Sequence, residues 1–176
     1  MYKLVAIDLD GTMLNHYGEI SERTKEVVRK CLVKGVEIVL ASGRPIDSIK
    51  TIAKELGIKG YFIAGNGALV YDIQRDEIIY ENYIKKEKIL EIIKICEENN
   101  VYTDKVILTT NLKFNVLYYY KENLKKEENK QTNISIVENM YEYVENMKDD
   151  KFLKITICDQ NDTIFHSIIK KVKEIN

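Results

Sequence analysis

What most constrains this chain is the alternation of short apolar runs with helix-length amphipathic stretches along its first third. Tyr2–Leu9, Val36–Ala41 and Gly60–Ala64 have the composition and length of strands. Ser21 can cap a helix reaching Lys34, with Val27, Val28, Cys31 and Leu32 on one face and Gly35 just past its end. A second helix opens at Pro45, which a first helical turn tolerates, and runs to Leu56 with Gly57 as its stop. Continuous apolar runs separated by helices of this length predict a parallel α/β sheet covered on both faces, with Tyr2–Leu9 a buried strand. Leu69–Ile73 and Glu77–Tyr83 then predict a hairpin around Gln74–Asp76.

The second half has a different rhythm. Ile84–Asn99 is an amphipathic helix pattern carrying Ile89, Ile92, Ile93 and Cys96. Val101–Thr109 is strand-like, and the charge pattern of Leu112–Asn129 favours helix. Ile134–Val137 is a short strand, Asn139–Lys148 weakly helical, Phe152–Asp159 a strand and Thr163–Ile175 a helix. A domain change is expected near residue 83, giving units of 1–82 and 83–176. The Lys and Glu runs of Lys121–Lys130 are expected to form a solvated face.

Composition narrows the function classes. With 27 basic and 28 acidic residues among 176, the formal net charge is −1, which gives no reason to expect nucleic acid or an anionic membrane as partner. Cys31, Cys96 and Cys158 are odd in number, far apart and without a CxxC, so they read as reduced, half-buried thiols. The N-terminus runs straight into a strand pattern, and no apolar run approaches the ~20 residues that span a bilayer. A soluble, cytoplasmic chain is expected.

Three short stretches carry the chemistry. In MYKLVAIDLDGT the apolar run ends in Asp8 and Asp10, followed by Gly11 and Thr12. Ligands of open parallel sheets bind beyond the carboxyl ends of the strands, where these acids would lie. Two neighbouring anions suit a hard cation such as Mg²⁺ between them. A carboxylate can attack phosphorus, and a second one nearby can protonate a leaving oxygen and later activate water. The same residues would also make a solvated turn closing a strand. In VLASGRP, Ser42 and Gly43 offer a hydroxyl and backbone N–H groups to an anion near a helix N-terminus, and Arg44 could reach phosphate. A capped turn with a surface arginine fits that stretch as well. In IAGNGALV, Asn66 stands between Gly65 and Gly67, which alone is a strong turn signal. All three stretches follow consecutive strands, on the edge where a ligand is expected.

DLDGT at 8–12, ASGRP at 41–45 and NGA at 66–68 resemble the haloacid dehalogenase superfamily, in its Cof-type sugar-phosphate phosphatase branch. The resemblance implies a partial Rossmann-like core followed from about residue 83 by an α/β cap that selects substrate. It implies that Asp8 is the phosphoryl-accepting nucleophile and a Mg²⁺ ligand, and that Asp10 is the general acid/base, binding Mg²⁺ through its backbone carbonyl. Thr12 and Ser42 would hold the transferring phosphoryl group with the Gly43 backbone, and Arg44 and Asn66 would lie beside phosphate or substrate.

The sequence departs from that pattern after the cap-like segment. The family's lysine and its GDxxND-like acidic loop have no counterpart. Asp159 and Asp162, in CDQND, resemble that loop only superficially and read as a turn and a helix cap; Lys154 and Lys170 are poor candidates for the lysine. A cap truncated at Asn176 is therefore expected. So is a first strand turned into a sheet edge, open to self-association. Two functions stay open: a Mg²⁺-dependent phosphatase of small phosphorylated metabolites, or an inactive remnant or interaction module that binds phosphate or metal weakly. His16 and His166 read as surface and structural residues, and Tyr118–Tyr120 is too short a run for a stacking platform.

Overall fold

The computed structural model of the chain describes residues 2–99, 101, 105–110, 115–118, 134–137, 139–148, 151–158 and 161–175. The chain divides into two compact units, Met1–Asn82 and Tyr83–Asn176.

In the first unit the elements follow in the order β1 (Leu4–Asp8), α1 (Glu22–Val33), β2 (Glu37–Ala41), α2 (Ile46–Leu56), β3 (Tyr61–Ala64), β4 (Leu69–Asp72) and β5 (Glu77–Glu81). They form one sheet of order β1-β2-β3-β4-β5. β1, β2 and β3 run parallel, while β4 and β5 return antiparallel as the expected hairpin. Each helix starts and stops where its local chemistry requires. Ser21 Oγ accepts from the Thr24 N–H at the start of α1. Pro45 sits at the N-cap of α2 (φ −69°), one position earlier than the first turn. Gly57 ends α2 at φ +72°, a left-handed conformation that a side chain strains.

Coverage of the sheet is uneven, which corrects the expectation of two covered faces. Ile38, Val39 and Leu40 are consecutive and all buried, so β2 is covered on both sides. α1 packs on β2 and α2 on β3, and Lys25 reaches Glu55 across the two helices at 2.7 Å. β1, however, alternates between exposed and half-buried, with Leu4 at 52% exposure. Among the described residues it pairs with β2 alone, so its side chains have neighbours on one side only. The apolar face of α1 is likewise incomplete: Val28 is buried, but Val27 is half exposed.

The second unit contains α3 (Lys86–Glu98), β6 (Lys105–Thr110), β7 (Asn115–Tyr118), β8 (Ile134–Val137), α4 (Met140–Asn146), β9 (Phe152–Cys158) and α5 (Asp162–Lys173). The sheet order is β8-β7-β6-β9, with β7–β8 parallel and the other pairs antiparallel. Ile89, Ile92, Ile93 and Cys96 of α3 meet Val101, Met140, Val144, Phe152 and Ile168 in one closed core. Cys96 is therefore fully buried, not half-buried as its pattern suggested.

Two further expectations are corrected here. The helix favoured for Leu112–Asn129 gives way at Asn115–Tyr118 to β7, which lies between β6 and β8; strand pairing on both sides overrides a charge pattern that carries only tenths of a kcal/mol per pair. The cap of the last helix is Asn161, whose Oδ1 accepts from the N–H groups of Thr163 and Ile164, and Asp162 is the acid of its first turn. Lys121–Lys130, Tyr119, Tyr120 and Asp159 lie outside the described residues.

Candidate active site

The first strand ends at Asp8, and the chain then makes a single π-type turn over Leu9–Met13. That turn is possible because Gly11 takes φ +78°. Leu9 and Met13 are buried while Asp8, Asp10, Gly11 and Thr12 are exposed, so the turn anchors apolar groups inward and presents polar groups outward. The Thr12 hydroxyl donates to Asp8 Oδ2 at 3.2 Å, fixing the carboxylate at the strand end. A tight loop follows, in which Asn15 Oδ1 accepts from the N–H groups of Tyr17 and Glu19. His16 is exposed in that loop beside the Tyr17 ring.

The second and third loops are tied to one another by backbone hydrogen bonds. The Ser42 N–H donates to the Ile63 carbonyl at 2.9 Å, the Asn66 N–H to the Ser42 carbonyl at 3.3 Å, and the Gly65 N–H to the Arg44 carbonyl at 3.3 Å. Ser42 is buried, and its Oγ accepts the Arg44 N–H at 3.2 Å. Asn66 takes the left-handed conformation, φ +58°, with its side chain exposed. Asparagine tolerates that region better than most residues.

One contact joins the first loop to the second. Arg44 grips Asp10 with two charge-assisted bonds, Nε to Oδ2 at 2.9 Å and Nη2 to Oδ1 at 2.6 Å, while its Nη1 donates to Ser48 Oγ at 3.3 Å. The Arg44 hydrogen bond holds the Asp10 carboxyl below its usual value of 3.8, with slight burial opposing it, and Arg44 is pushed up in turn. The side chains are 33% and 58% exposed, so screening limits the pair to roughly 0.2–1 kcal/mol. Its bidentate form nevertheless fixes direction.

Asp8 thus closes β1, and Asp10, Thr12, Ser42, Gly43, Arg44 and Asn66 lie on the loops that follow β1, β2 and β3. Sequence reasoning missed the pairing of Asp10 with Arg44 and the support from Ser48. Only the spacing of Ser48, one helical turn beyond Arg44, could have hinted at the latter. Lys154 belongs to β9 and Lys170 to α5, both in the second unit. Among the described residues no group of three or more His, Cys, Asp or Glu could hold a metal ion. The exposed Asp8 carboxylate is a hard oxygen donor of the kind Mg²⁺ takes while retaining several waters, whereas both Asp10 carboxylate oxygens are engaged by Arg44.

A sheet whose first three strands run parallel, with carboxylates at the end of the first and hydroxyl and amide loops after the next two, defines a Rossmann-like α/β protein. The chain belongs to the haloacid dehalogenase-like hydrolases, which it matches over residues 5–176. It is 34% identical over 100 residues to the phosphatase YwpJ of Bacillus subtilis, covering 57% of this chain and 35% of that one. It is 36% identical over 70 residues to the 5-amino-6-(5-phospho-D-ribitylamino)uracil phosphatase YcsE of the same species, covering 40% of this chain and 28% of that one. These matches span about a third of those relatives' length. In fold it resembles a haloacid dehalogenase-like hydrolase from B. subtilis, with a TM-score of 0.80 at 21% identity, over 98% of this chain and 67% of that one. It also resembles the HAD subclass IIB sugar phosphatase BT4131, with a TM-score of 0.73 at 20% identity, over 97% and 64% of the two chains. Among the described residues no helix is long and apolar enough to cross a membrane.

Proposed function

We propose that this chain serves a Mg²⁺-dependent phosphatase of small phosphorylated metabolites, sugar phosphates among them, acting in the cytoplasm through an aspartyl-phosphate. The observation that carries the reading is the Asp8 carboxylate, exposed at the end of β1 and held by the Thr12 hydroxyl at 3.2 Å. An Asp8 oxygen attacks phosphorus as the phosphate ester bond breaks, and Asp10, having taken up a proton from solvent, gives that proton to the leaving oxygen. Asp10 then takes a proton from the water that cleaves the acyl phosphate. Thr12, Ser42 and the Gly43 N–H orient the phosphoryl oxygens, and Asn66 lies beside them. Asp8 and the Asp10 carbonyl would hold Mg²⁺, which when bound offsets the charge between carboxylate and phosphate. Residues 83–176 act as the cap that selects substrate.

The test is phosphate release from an aryl phosphate with Mg²⁺. Asp8→Asn should abolish it, because an amide is no nucleophile, and Asp10→Asn should slow it by about 10²–10⁴-fold. Near-normal turnover by either variant overturns the roles. Turnover by the 176-residue chain should be slight, since only Arg44 among the three loops brings positive charge to the phosphate. Mg²⁺ binding measured by calorimetry should be weak and should disappear in Asp8→Ala. Phosphate binding without any turnover favours the second reading, a phosphate-binding module.

The open side of β1 supports a further element of this reading. Leu4 in β1 and Tyr2 just before it are exposed, and among the described residues β1 pairs with β2 alone. Such an edge is a template for pairing with a second copy of the chain.

A further inference from the structure

Outside the candidate site, the polar clusters have structural roles. Lys50, Tyr71 and Asp76 pin the β4–β5 hairpin to α2, with Lys50 bonded to Asp76 at 2.8 Å and lying over the Tyr71 ring. Lys86 closes the end of α4 by donating to the Glu145 and Met147 carbonyls. The grip of Arg44 on Asp10 is different, because it immobilises two residues that the proposed reaction needs elsewhere.

We propose that Arg44 is shared between Asp10 and the incoming phosphate, so that the Asp10–Arg44 pair is a latch that phosphate opens. The inference rests on the phosphatase reading and adds a gate to it. Three observations carry it. First, both Asp10 oxygens accept from the guanidinium, at 2.9 and 2.6 Å, so both are already engaged. Second, Arg44 is the only Lys or Arg within residues 8–12, 41–45 and 64–68, so the one cation these three stretches offer a phosphate beside Asp8 is already engaged. Third, the pair is solvent-accessible and Arg44 has a second anchor in Ser48, 3.3 Å from Nη1. The guanidinium can therefore pivot between two anions without leaving the loop.

As the phosphate takes the Arg44 fork, charge-assisted bonds to Asp10 are exchanged for charge-assisted bonds to phosphoryl oxygens. Asp10 is released at the same moment, with its carboxyl free to turn toward the ester oxygen. The empty site thus keeps its acid/base residue parked, and ligand arrival assembles it. Arg44 acts on phosphate directly and on Asp10 as its positioning residue.

A double-mutant cycle on inorganic phosphate affinity tests this without turnover. Binding is followed by the amide signals of Gly11, Thr12 and Gly43 in the chain, in Asp10→Ala, in Arg44→Ala and in the double variant. If Arg44 must leave Asp10 to bind phosphate, Asp10→Ala tightens binding by a factor about threefold or more larger with Arg44 present than with Arg44→Ala. Equal factors in the two backgrounds mean simple charge repulsion and overturn the latch. In the unaltered chain, the Arg44 Nε–H signal should move as phosphate saturates the site; a signal that stays still overturns it, as does the absence of saturable phosphate binding. Equal factors alongside Asp8-dependent phosphate release sink only the latch. Unequal factors without any release sink only the phosphatase reading.

Discussion

The two units of this chain use similar sequence material to different ends. Residues 83–176 close their apolar surface: helices α3, α4 and α5 bring Ile89, Val144 and Ile168 onto Phe152 of β9, and each is essentially inaccessible. Residues 1–82 close theirs only around β2 and β3 and leave β1 and part of α1 open, with Tyr2, Leu4, Val27 and Val33 all exposed. The open unit is also the one whose strand ends carry Asp8, Asp10, Ser42 and Asn66. An apolar run therefore reports burial capacity, and whether that capacity is used depends on what pairs with the strand.

That contrast can be broken most directly in the cores. Phe152→Ala should cost about 3–5 kcal/mol of stability, since a fully buried aromatic leaves a cavity that its neighbours fill only in part. Leu4→Ser should change it by no more than about 0.5 kcal/mol, because half that side chain is already in water. Urea titrations of both variants compare them, and equal losses would mean that β1 is covered in solution.

Covering by a second copy is the proposed source of any such loss. Light scattering on the chain should give a mass above that of one copy, and Leu4→Lys, a charge on the open edge, should return it to one. A single-copy mass for the unaltered chain removes the self-association proposal and leaves the unit contrast as drawn.

Thiol chemistry sharpens the contrast by a different route. Burial, and to a lesser degree Glu97, pushes the Cys96 thiol up to about 12. Cys96 should resist a maleimide until its unit unfolds, whereas Cys31, half-buried on α1, should label in the folded chain. Peptide mapping after brief labelling checks the order, and early modification of Cys96 would show that the second core opens.

The smallest effect is in acid. Asp10 is held below its usual 3.8 by the hydrogen bond from Arg44, and Asp76 by those from Lys50 and Tyr71. A lowered carboxyl contributes stability that is present above its unfolded value and lost as pH falls through the folded one. Burial raises Glu97 above its usual 4.5, so its contribution is present below the unfolded value and lost as pH rises through the folded one. Acidification through the carboxylate range should weaken the first unit, whereas Glu97 contributes in the opposite direction in the second. Amide exchange resolved by unit checks the sign. A first unit strengthened by acid would contradict the Asp10–Arg44 geometry.

Much of this was written locally. Ser21, Gly57 and Asn161 terminate helices through bonds and dihedrals that involve only near neighbours, and the helix limits they set lie close to those expected for α1, α2 and α5. The alternation of strands with capped helices determined β1-α1-β2-α2-β3, and hence that Asp8 at the end of β1, and Ser42 and Asn66 on the loops after β2 and β3, stand at the same ends of three neighbouring strands. Only the tertiary structure decided matters that depend on residues far apart in the chain. Asn115–Tyr118 became a strand because β6 and β8 flank it, which no local charge pattern encodes. β1 stands at the sheet edge as expected, yet it is exposed where its apolar run predicted a buried strand, because burial belongs to what packs against a strand and not to the strand's own composition. Arg44 closed on Asp10, 34 residues earlier in sequence, because the loops after β1 and β2 meet at one edge of the sheet. Spacing along the chain holds no record of that meeting; it exists only when parallel strands bring their carboxyl ends side by side.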